Sequence, residues 1–299
     1  MTPQQTTTLA KQPSAKAVAV TGFQKVLNNS YYQNLLQNTL KENKGTFATS
    51  LMELVTSDEK LLQCEPNLLM AEALKAASLH LPLNKQLGQC YILPFKNKGV
   101  MTPTVVVGTR GYLNLALRTG KYETINTDVV YEGELVGYDK VTGRLDLSGE
   151  RTSDTPVGYF AYFKMKTGYT KLLFMTLHDV CQYAKSYAPT LKFNDKITPE
   201  SLQEMAINQA AKGSNDGVGW LANFESMALK TVLRRLLSKW GELSIESNTD
   251  ILAIDEAEPT AVERRNEEFA EVKEVVTVDS TTGEVIKEEP HKDDNPFKE

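Results

Sequence analysis

The sequence predicts an α+β protein with N-terminal helices, a central and mostly antiparallel β-sheet with inserted helices, a long basic helix and a disordered acidic tail. Three observations support this prediction. Residues 23–80 carry apolar residues at helical spacing, residues 88–175 carry short β-branched and aromatic runs between turn residues, and residues 220–240 return to a helical period. Because helices and strands come in separate runs, their order argues against a doubly wound parallel sheet.

The N-terminal part is predicted to start disordered and then to form helices. Residues 1–22 are rich in Thr, Gln, Ala and Pro without a period, so we expect disorder there. Ser30 is predicted to cap a helix that runs to Leu40. A helix over 47–56 and another that begins at Pro66, a residue suited to a first helical turn, are predicted next. The inward side chains expected of the 47–56 helix are Phe47, Leu51, Leu54 and Val55.

The central part is predicted to contain strands and short helices. The predicted strands are 88–95, 103–107, 124–131, 134–138, 144–147, 157–165 and 169–175. A short helix over 112–118 is expected between the second and third strands, and Gly120 ends it. Thr176 is predicted to cap a helix that ends near Tyr187, and a further helix is predicted over 199–211.

The stretch from Trp220 to Trp240 predicts a long amphipathic helix. Its apolar sector contains Leu229, Val232, Leu233, Leu236, Leu237 and Trp240. Lys230 and Arg234 lie one turn apart on one flank, and Arg235 and Lys239 lie one turn apart on the other. We therefore expect four outward cations, which suit a phosphate backbone. The simpler interpretation is an ordinary solvated helix face.

Charge divides the chain into a basic body and an acidic tail. Residues 246–299 contain 17 acidic and 6 basic residues, a balance of −11, whereas residues 1–245 contain 27 basic and 21 acidic residues, a balance of +6. This asymmetry predicts an anionic partner for the body. We interpret 23–245 as a binding core and 246–299 as a largely disordered tail with a partner-binding element, a short hairpin near 275–286.

Several kinds of chemistry are not supported by the sequence. Cys64, Cys90 and Cys181 form neither a CxxC motif nor a Cys/His cluster, so buried free thiols are expected, without a disulfide framework or a metal site. A signal peptide, a membrane-spanning run, a nucleotide phosphate loop and a set of convergent carboxylates are all lacking. The sequence thus predicts a cytoplasmic protein that is not an enzyme and uses no cofactor.

Basic and aromatic residues interleave in a way that favours single-stranded nucleic acid. We expect three clusters: a short helix after Gly108 and Gly111, whose glycines allow close approach of a ligand, a β-hairpin with the helix after it, and the basic helix. The predicted DNA-binding residues are Lys96, Lys98, Arg110, Tyr112, Arg118, Lys121, Lys164, Lys166, Lys171, Lys185, Lys192, Lys230, Arg234, Arg235 and Lys239. For any one cluster, half-buried tyrosines and solubilising lysines remain the simpler interpretation.

Four blocks of the sequence resemble, in order, blocks of the RecT family of phage recombination proteins. They are LNKQLGQCYILPF at 83–95, GTRGYLNLA at 108–116 with RTG at 118–120, VYEGE at 130–134, and Trp220 with FESMALKTVLRRL at 224–236. The resemblance implies ATP-independent annealing of complementary single strands into duplex DNA in homologous recombination. It also implies a fold distantly like that of eukaryotic annealing proteins, ring-shaped or helical homo-oligomers, a partner phage exonuclease and contact with the host single-strand-binding protein.

Two other classes of protein stay open at this point. A nucleic-acid-binding structural module would bind DNA without annealing it, and a metal-dependent nuclease would degrade it. Annealing itself needs no bond-making side chain. A cationic groove that holds one strand extended, with its bases outward, reduces the repulsion between two polyanions and leaves base pairing to select the complement.

Overall fold

A computed structural model of the protein describes residues 14–97, 99–212 and 219–244, together with the backbone of 277–278 and 285–286. The chain divides into two units, Met1–Glu256 and Ala257–Glu299. Among the helices that the model describes, none is long and apolar enough to cross a bilayer.

The first unit begins with a layer of helices. They are α1 (Ala15–Leu27), α2 (Ser30–Leu40), α3 (Lys44–Ser57) and α4 (Pro66–Ser78), with single 3-10 turns at Lys41–Asn43, Leu61–Gln63 and Lys85–Leu87. The four side chains predicted to face inward from α3 are all buried, which confirms the helical period of that segment. Pro66 occupies the first turn of α4 as predicted, because its missing N–H has no partner to lose there.

Two N-terminal boundaries differ from the prediction. Helix α1 begins at Ala15, inside the segment predicted to be disordered, and residues 1–13 lie outside the described part. The Ser14 side chain caps this helix, and Phe23 and Leu27 bury its inner face, which the polar composition of the segment does not reveal. Helix α2 is capped by Asn29, whose side chain accepts the Tyr31 N–H at 2.9 Å, and Ser30 is its first residue.

An antiparallel hairpin follows the helical layer. Strand β1 (Cys90–Asn97) pairs with β2 (Val100–Val107), with Cys90 opposite Val107 and Lys96 opposite Met101. Both strands extend further toward the turn than predicted, so Lys96 lies in a strand and not in a loop. Lys98, at the turn, lies outside the described residues.

A buried carboxylate joins the hairpin to the helical layer. Glu72 on α4 is only 6% exposed, and its Oε2 accepts the backbone N–H of Val105 at 2.7 Å while Oε1 pairs with Lys75. An edge-strand N–H that would otherwise lack a partner is thereby satisfied. The hairpin is fixed to α4 by a charge-assisted hydrogen bond in addition to apolar packing.

Helix α5 (Thr109–Leu117) lies directly against the start of β1. A Cβ atom added to Gly108 would lie 2.2 Å from the carbonyl oxygen of Gly88, and one added to Gly111 would lie 2.1 Å from that of Gln89. Only glycine permits this backbone contact. The interpretation that these two glycines make room for a ligand is therefore wrong, because the space is filled by the protein's own strand.

The remaining strands are β3 (Tyr122–Tyr131), β4 (Gly137–Asp139), β5 (Arg144–Asp146), β6 (Pro156–Met165) and β7 (Thr170–Thr176). They form a three-stranded antiparallel sheet in the order β3-β6-β7 and a separate β4–β5 ribbon. The prediction of antiparallel pairing is confirmed, whereas that of one central sheet is wrong. Strand β2 leads into α5 and not into a neighbouring strand, so the β1–β2 hairpin stays a sheet of its own.

Helices cover the three-stranded sheet. They are α6 (Leu177–Tyr187), α7 (Pro189–Lys192), α8 (Pro199–Lys212) and α9 (Phe224–Trp240). Thr176 and Asp179 form the capping box that starts α6, as the sequence predicted for Thr176. Helix α9 packs on β6, β7, β3 and α5 and buries Phe224, Ala228, Val232, Leu233, Leu236 and Leu237.

Helix α9 starts one turn later than predicted. The Asn223 side chain accepts the Ser226 N–H at 3.1 Å and caps the helix. Gln209 of α8 holds the preceding segment, since its side chain donates to the Leu221 carbonyl at 2.8 Å and accepts the Phe224 N–H at 3.0 Å. Trp220 is buried before the helix begins, where its ring meets that of Phe224.

The second unit is described only at two short strands. Strand β8 (Thr277–Val278) pairs antiparallel with β9 (Val285–Ile286), within the predicted hairpin region 275–286. The rest of the acidic tail lies outside the described residues.

Candidate nucleic-acid interface

Helix α9 buries more of its surface than its sequence pattern predicts. Arg234 is only 4% exposed, Arg235 and Lys230 are half-buried, and Lys239 is exposed. The prediction that all four cations lie on an outer face is therefore wrong. Its physical reason is tertiary packing around α9, in which Tyr183 of α6 reaches the flank that carries Arg234.

A tyrosine of α6 organises the two arginines of α9. Arg234 Nη2 donates to the Tyr183 hydroxyl at 2.5 Å, and the Arg235 guanidinium lies 4.7 Å from the centre of the Tyr183 ring. Arg235 Nη1 also approaches Met175 Sδ at 3.4 Å. The Tyr183 ring in turn lies 4.6 Å from that of Tyr187. Here cations and aromatic rings form part of the packing between helices.

Four lysines meet at one end of the three-stranded sheet, and we call them, with Trp240, the turn-end cluster. Its members are Lys121, Lys166, Lys171, Lys239 and Trp240. The Lys171 and Lys239 ammonium groups lie 5.1 and 4.9 Å from the centre of the Trp240 ring. The Lys166 N–H donates to the Lys121 carbonyl at 2.8 Å, which places these two residues side by side.

The start of β3 holds the end of α9 in this position. The Tyr122 hydroxyl donates to the Glu242 carbonyl at 2.8 Å and accepts the N–H of the same residue at 2.5 Å. Burial raises the pKa of Tyr122, so its hydroxyl stays protonated at neutral pH. Lys121 forms an ion pair with Glu242 at the surface, and the cluster has a formal charge of +3 if Glu242 is counted with it.

Lys164, on the same sheet, is already paired. Its ammonium lies 2.8 Å from the Glu123 carboxylate, and this hydrogen bond raises the pKa of Lys164. Both side chains are about half exposed, and such solvent-screened ion pairs contribute little to stability. A phosphate could therefore replace Glu123 at low cost.

The short helix α5 carries a second, smaller group of cations. Arg110 and Arg118 are exposed and, with Leu113, Asn114 and Leu117, line a shallow depression. Arg118 donates to the Leu79 carbonyl at 2.7 Å, and partial burial of its guanidinium lowers its pKa, although arginine stays charged at neutral pH.

Tyr112 does not belong to this surface. Its side chain is 0% exposed, because it occupies the buried face of α5 with Gly111, Leu115 and Ala116. The prediction that Tyr112 is available to stack on DNA is wrong for this placement.

The predicted lysines around α7 have two different environments. Lys185 donates to the carbonyls of Leu191 at 3.0 Å and Asn194 at 2.9 Å, so it closes the turn after α6. Lys192 lies 5.8 Å from the Phe193 ring, and Phe193 is 70% exposed. Lys96, on β1, is exposed. It belongs neither to the turn-end cluster nor to the cations of α5.

The structure groups the cations differently from the sequence. By sequence position Lys121 belongs with the short helix α5, but it lies at the sheet end with the hairpin lysines, and Lys239 joins them from α9. Sequence reasoning missed Trp240 as the ring between two lysines, because its helical position also fits the apolar sector. It also missed Arg151, which lies 3.5 Å over the Tyr131 ring across a 20-residue separation that gives no local signal.

The sequence model of the RecT family matches residues 45–274 of this chain. The chain belongs to the RecT family.

Two relatives are similar to this chain over most of its length. The "Uncharacterized protein YqaK" of Bacillus subtilis (strain 168) is 32% identical over 221 residues, which are 74% of this chain and 67% of YqaK. "Protein RecT" of Escherichia coli (strain K12) is 26% identical over 206 residues, which are 67% of this chain and 66% of that protein. The chain thus spans about two thirds of the length of each relative.

Membership of the RecT family supports DNA binding and a single-strand annealing role in recombination. The matched range includes α5, the three-stranded sheet and α9, and therefore both surface groups of cations. Among the described residues, no group of three or more His, Cys, Asp or Glu side chains is placed to hold a metal ion.

Proposed function

We propose that this protein binds single-stranded DNA and anneals complementary strands without ATP during homologous recombination in a phage. The observation that carries the proposal is the turn-end cluster, which gathers lysines from three separate segments at one end of the sheet, two of them against the half-buried Trp240 ring. Membership of the RecT family supports the same function.

The charge of the cluster explains binding without sequence preference. Each lysine that neutralises a phosphate releases a condensed counterion, and the bases are not read. Lys171 and Lys239 hold their charge over a tryptophan ring, which is itself a surface on which a base can stack. Arg110, Arg118 and Lys96 are proposed as further phosphate contacts because their side chains are exposed.

Annealing follows from holding two such strands close together. Repulsion between the strands is reduced by the fixed lysines, and hydrogen bonding between bases then selects the complement. A homo-oligomer, ring or filament, would present many clusters along one strand and convert weak contacts into stable binding. A phage exonuclease that supplies single strands and the host single-strand-binding protein are the proposed partners.

The acidic tail is proposed to limit non-specific binding by repelling DNA. Residues 246–299 carry a net charge of −11, and the core proposed at 23–245 would act without them. A variant that ends at residue 247 should bind DNA as tightly as the full chain or more tightly. A large loss of affinity on truncation would refute this role and would instead point to a tail that contributes to the DNA site.

A single assay tests the annealing proposal. Two complementary oligonucleotides are mixed with the protein in the absence of nucleotide, and duplex formation and strand length are followed on a gel with and without Mg²⁺. Faster duplex formation at constant strand length is expected. Binding without acceleration would favour a structural nucleic-acid-binding module, and Mg²⁺-dependent shortening would favour a nuclease.

A further inference from the structure

Helices α6 and α9 together build a row of planar groups that ends at the protein surface, which we call the Arg235–Tyr183–Tyr187 stack. The Arg235 guanidinium lies 4.7 Å from the Tyr183 ring centre, and the Tyr183 and Tyr187 rings are 4.6 Å apart with an angle of 33° between their planes. Tyr187 is 46% exposed, whereas Tyr183 is half-buried. The exposed end of the stack is thus a tyrosine ring.

The inner part of the stack is held in place by side-chain contacts. Tyr183 accepts a hydrogen bond from the buried Arg234, and Arg235 contacts Met175 on β7. The capping box at Thr176 fixes the start of α6, one helix length from Tyr187. A ring supported in this way loses little conformational entropy when a ligand stacks on it.

The chemistry of the stack selects a flat aromatic ligand. Tyrosine offers a ring on which nucleobases stack, and such stacking is sequence-tolerant because every base has a π-face. Arginine stacks on aromatic rings as a permanent cation, and Arg235 supports the Tyr183 ring against which Tyr187 packs. We propose that Tyr187 is the stacking position for one unpaired nucleobase of bound single-stranded DNA. This inference rests on the proposed function.

Another exposed tyrosine of the chain lacks this construction and serves as a control. Tyr31 on α2 is 64% exposed, and its ring meets that of Tyr32 edge-on, 5.3 Å away with an angle of 69°. The described contacts place no arginine behind that pair. Exposure alone would make Tyr31 the better platform, whereas the supported stack favours Tyr187.

The first test compares a base-bearing strand with an abasic one. Binding of an oligo-dT strand and of a strand of equal length with tetrahydrofuran in place of the bases is measured by fluorescence anisotropy for the full chain, Tyr187→Ala, Tyr187→Phe, Tyr187→Leu and Tyr31→Ala. We expect Tyr187→Ala and Tyr187→Leu to lose about fivefold or more in affinity for oligo-dT and nothing for the abasic strand. Tyr187→Phe and Tyr31→Ala should match the unmodified protein on both strands.

Two results would overturn the proposed stacking role of Tyr187. One is an equal loss of affinity of Tyr187→Ala for the base-bearing and the abasic strand, and the other is full affinity of Tyr187→Leu for oligo-dT. If the unmodified protein bound abasic and base-bearing strands equally, phosphate binding would stand and the stacking position would fall. Absence of binding to either strand would overturn the proposed function itself.

A second measurement uses the unmodified protein and does not depend on the folding of a variant. An oligonucleotide with 5-iodouracil in place of thymine is bound, irradiated at long wavelength and digested, and the cross-linked peptide is sequenced by mass spectrometry. A cross-link at Tyr187 is expected, since iodouracil reacts with the aromatic ring on which it stacks. Cross-links confined to other residues, Tyr31 or Trp240 included, would overturn the assignment.

Discussion

The middle of α9 and its C-terminal end use positive charge in opposite ways. In the middle, Arg234 is 4% exposed and bonded to Tyr183, so its guanidinium is part of the protein interior. At the end, Lys239 is exposed and shares the Trp240 ring with Lys171. A planar guanidinium can satisfy fixed partners inside the protein, whereas a flexible and strongly hydrated ammonium keeps its charge in solvent. The comparison teaches that basic residues one or two turns apart on one helix need not share a role.

The largest expected effect is the loss of stability on replacing the buried Arg234. Arg234→Ala should lower the free energy of unfolding by about 3 kcal/mol, because the change removes the hydrogen bond to the Tyr183 hydroxyl and leaves a cavity at a buried position of α9. Urea unfolding measures the change. Lys239→Ala is the matched control and should stay within about 0.5 kcal/mol of the unmodified protein. Similar losses of unfolding free energy in Arg234→Ala and Lys239→Ala would contradict the separate roles of the two side chains.

The next largest effect is the loss of DNA affinity on replacing two lysines of the turn-end cluster. The double variant Lys171→Ala/Lys239→Ala should lose about tenfold in affinity for a single strand at low salt and reduce the slope of log affinity against log salt by about 1.4, since each lost phosphate contact contributes about 0.7. Anisotropy titrations at several salt concentrations measure both quantities.

The control for that experiment removes the same charge elsewhere. Lys16→Ala/Lys25→Ala changes two exposed lysines of α1 and should leave the salt slope unchanged. If the two double variants lost affinity equally, net charge and not the turn-end cluster would explain binding.

A smaller effect is expected where β3 holds the end of α9. Tyr122→Phe removes the hydroxyl that bonds to both backbone groups of Glu242 and should cost about 1 kcal/mol of stability. Thermal unfolding followed by circular dichroism measures the loss. Tyr169→Phe, at a tyrosine that is 46% exposed, should cause no loss. An unchanged midpoint for Tyr122→Phe would show that apolar packing alone positions the cluster.

The smallest expected effect is a loss of stability at alkaline pH that is caused by the buried Cys181 thiol. Burial raises the pKa of the Cys181 thiol on α6 to about 12, and the nearby Glu200 adds to the shift. Because the folded-state pKa lies above the unfolded value of about 9, this contribution is fully present below pH 9 and is lost as pH rises toward 12. Between pH 7.5 and 9.5 the loss should be under about 1 kcal/mol.

Urea midpoints of the unmodified protein and of Cys181→Ala at those two pH values measure it. The Cys181→Ala variant should lose less stability than the unmodified protein over the same interval. An identical pH dependence in both would mean that the thiol is not shielded from solvent in the folded protein.

Local patterns predicted much of the fold. The period of Phe47, Leu51, Leu54 and Val55 identified the buried face of α3, and the cap at Thr176 identified the start of α6. All three cysteines are buried, as predicted, and none of them forms a disulfide. Such features depend on contacts within one or two turns, which the sequence carries directly.

Long-range partners could not be predicted in the same way. Arg234 fits either face of an amphipathic pattern, and only the packing of α6 against α9 decides its burial. Likewise the contact of Gly111 with the Gln89 carbonyl, which buries Tyr112, depends on how α5 docks on β1. The grouping of Lys121 with Lys166 depends on strand register, since Tyr122 lies opposite Met165.

The bond between Glu72 and the Val105 N–H attaches the β1–β2 hairpin to α4 at the end away from its turn, and the turn end has no such attachment among the described contacts. Pulling the base of the hairpin away from α4 would break this bond and leave a backbone N–H without its acceptor, which costs about 1–3 kcal/mol, so we expect bending mainly in the outer residues such as Lys96. A ligand or partner that displaces the turn end of the hairpin would then also shift α4 and the helical layer, because the hairpin is attached to α4 at its other end.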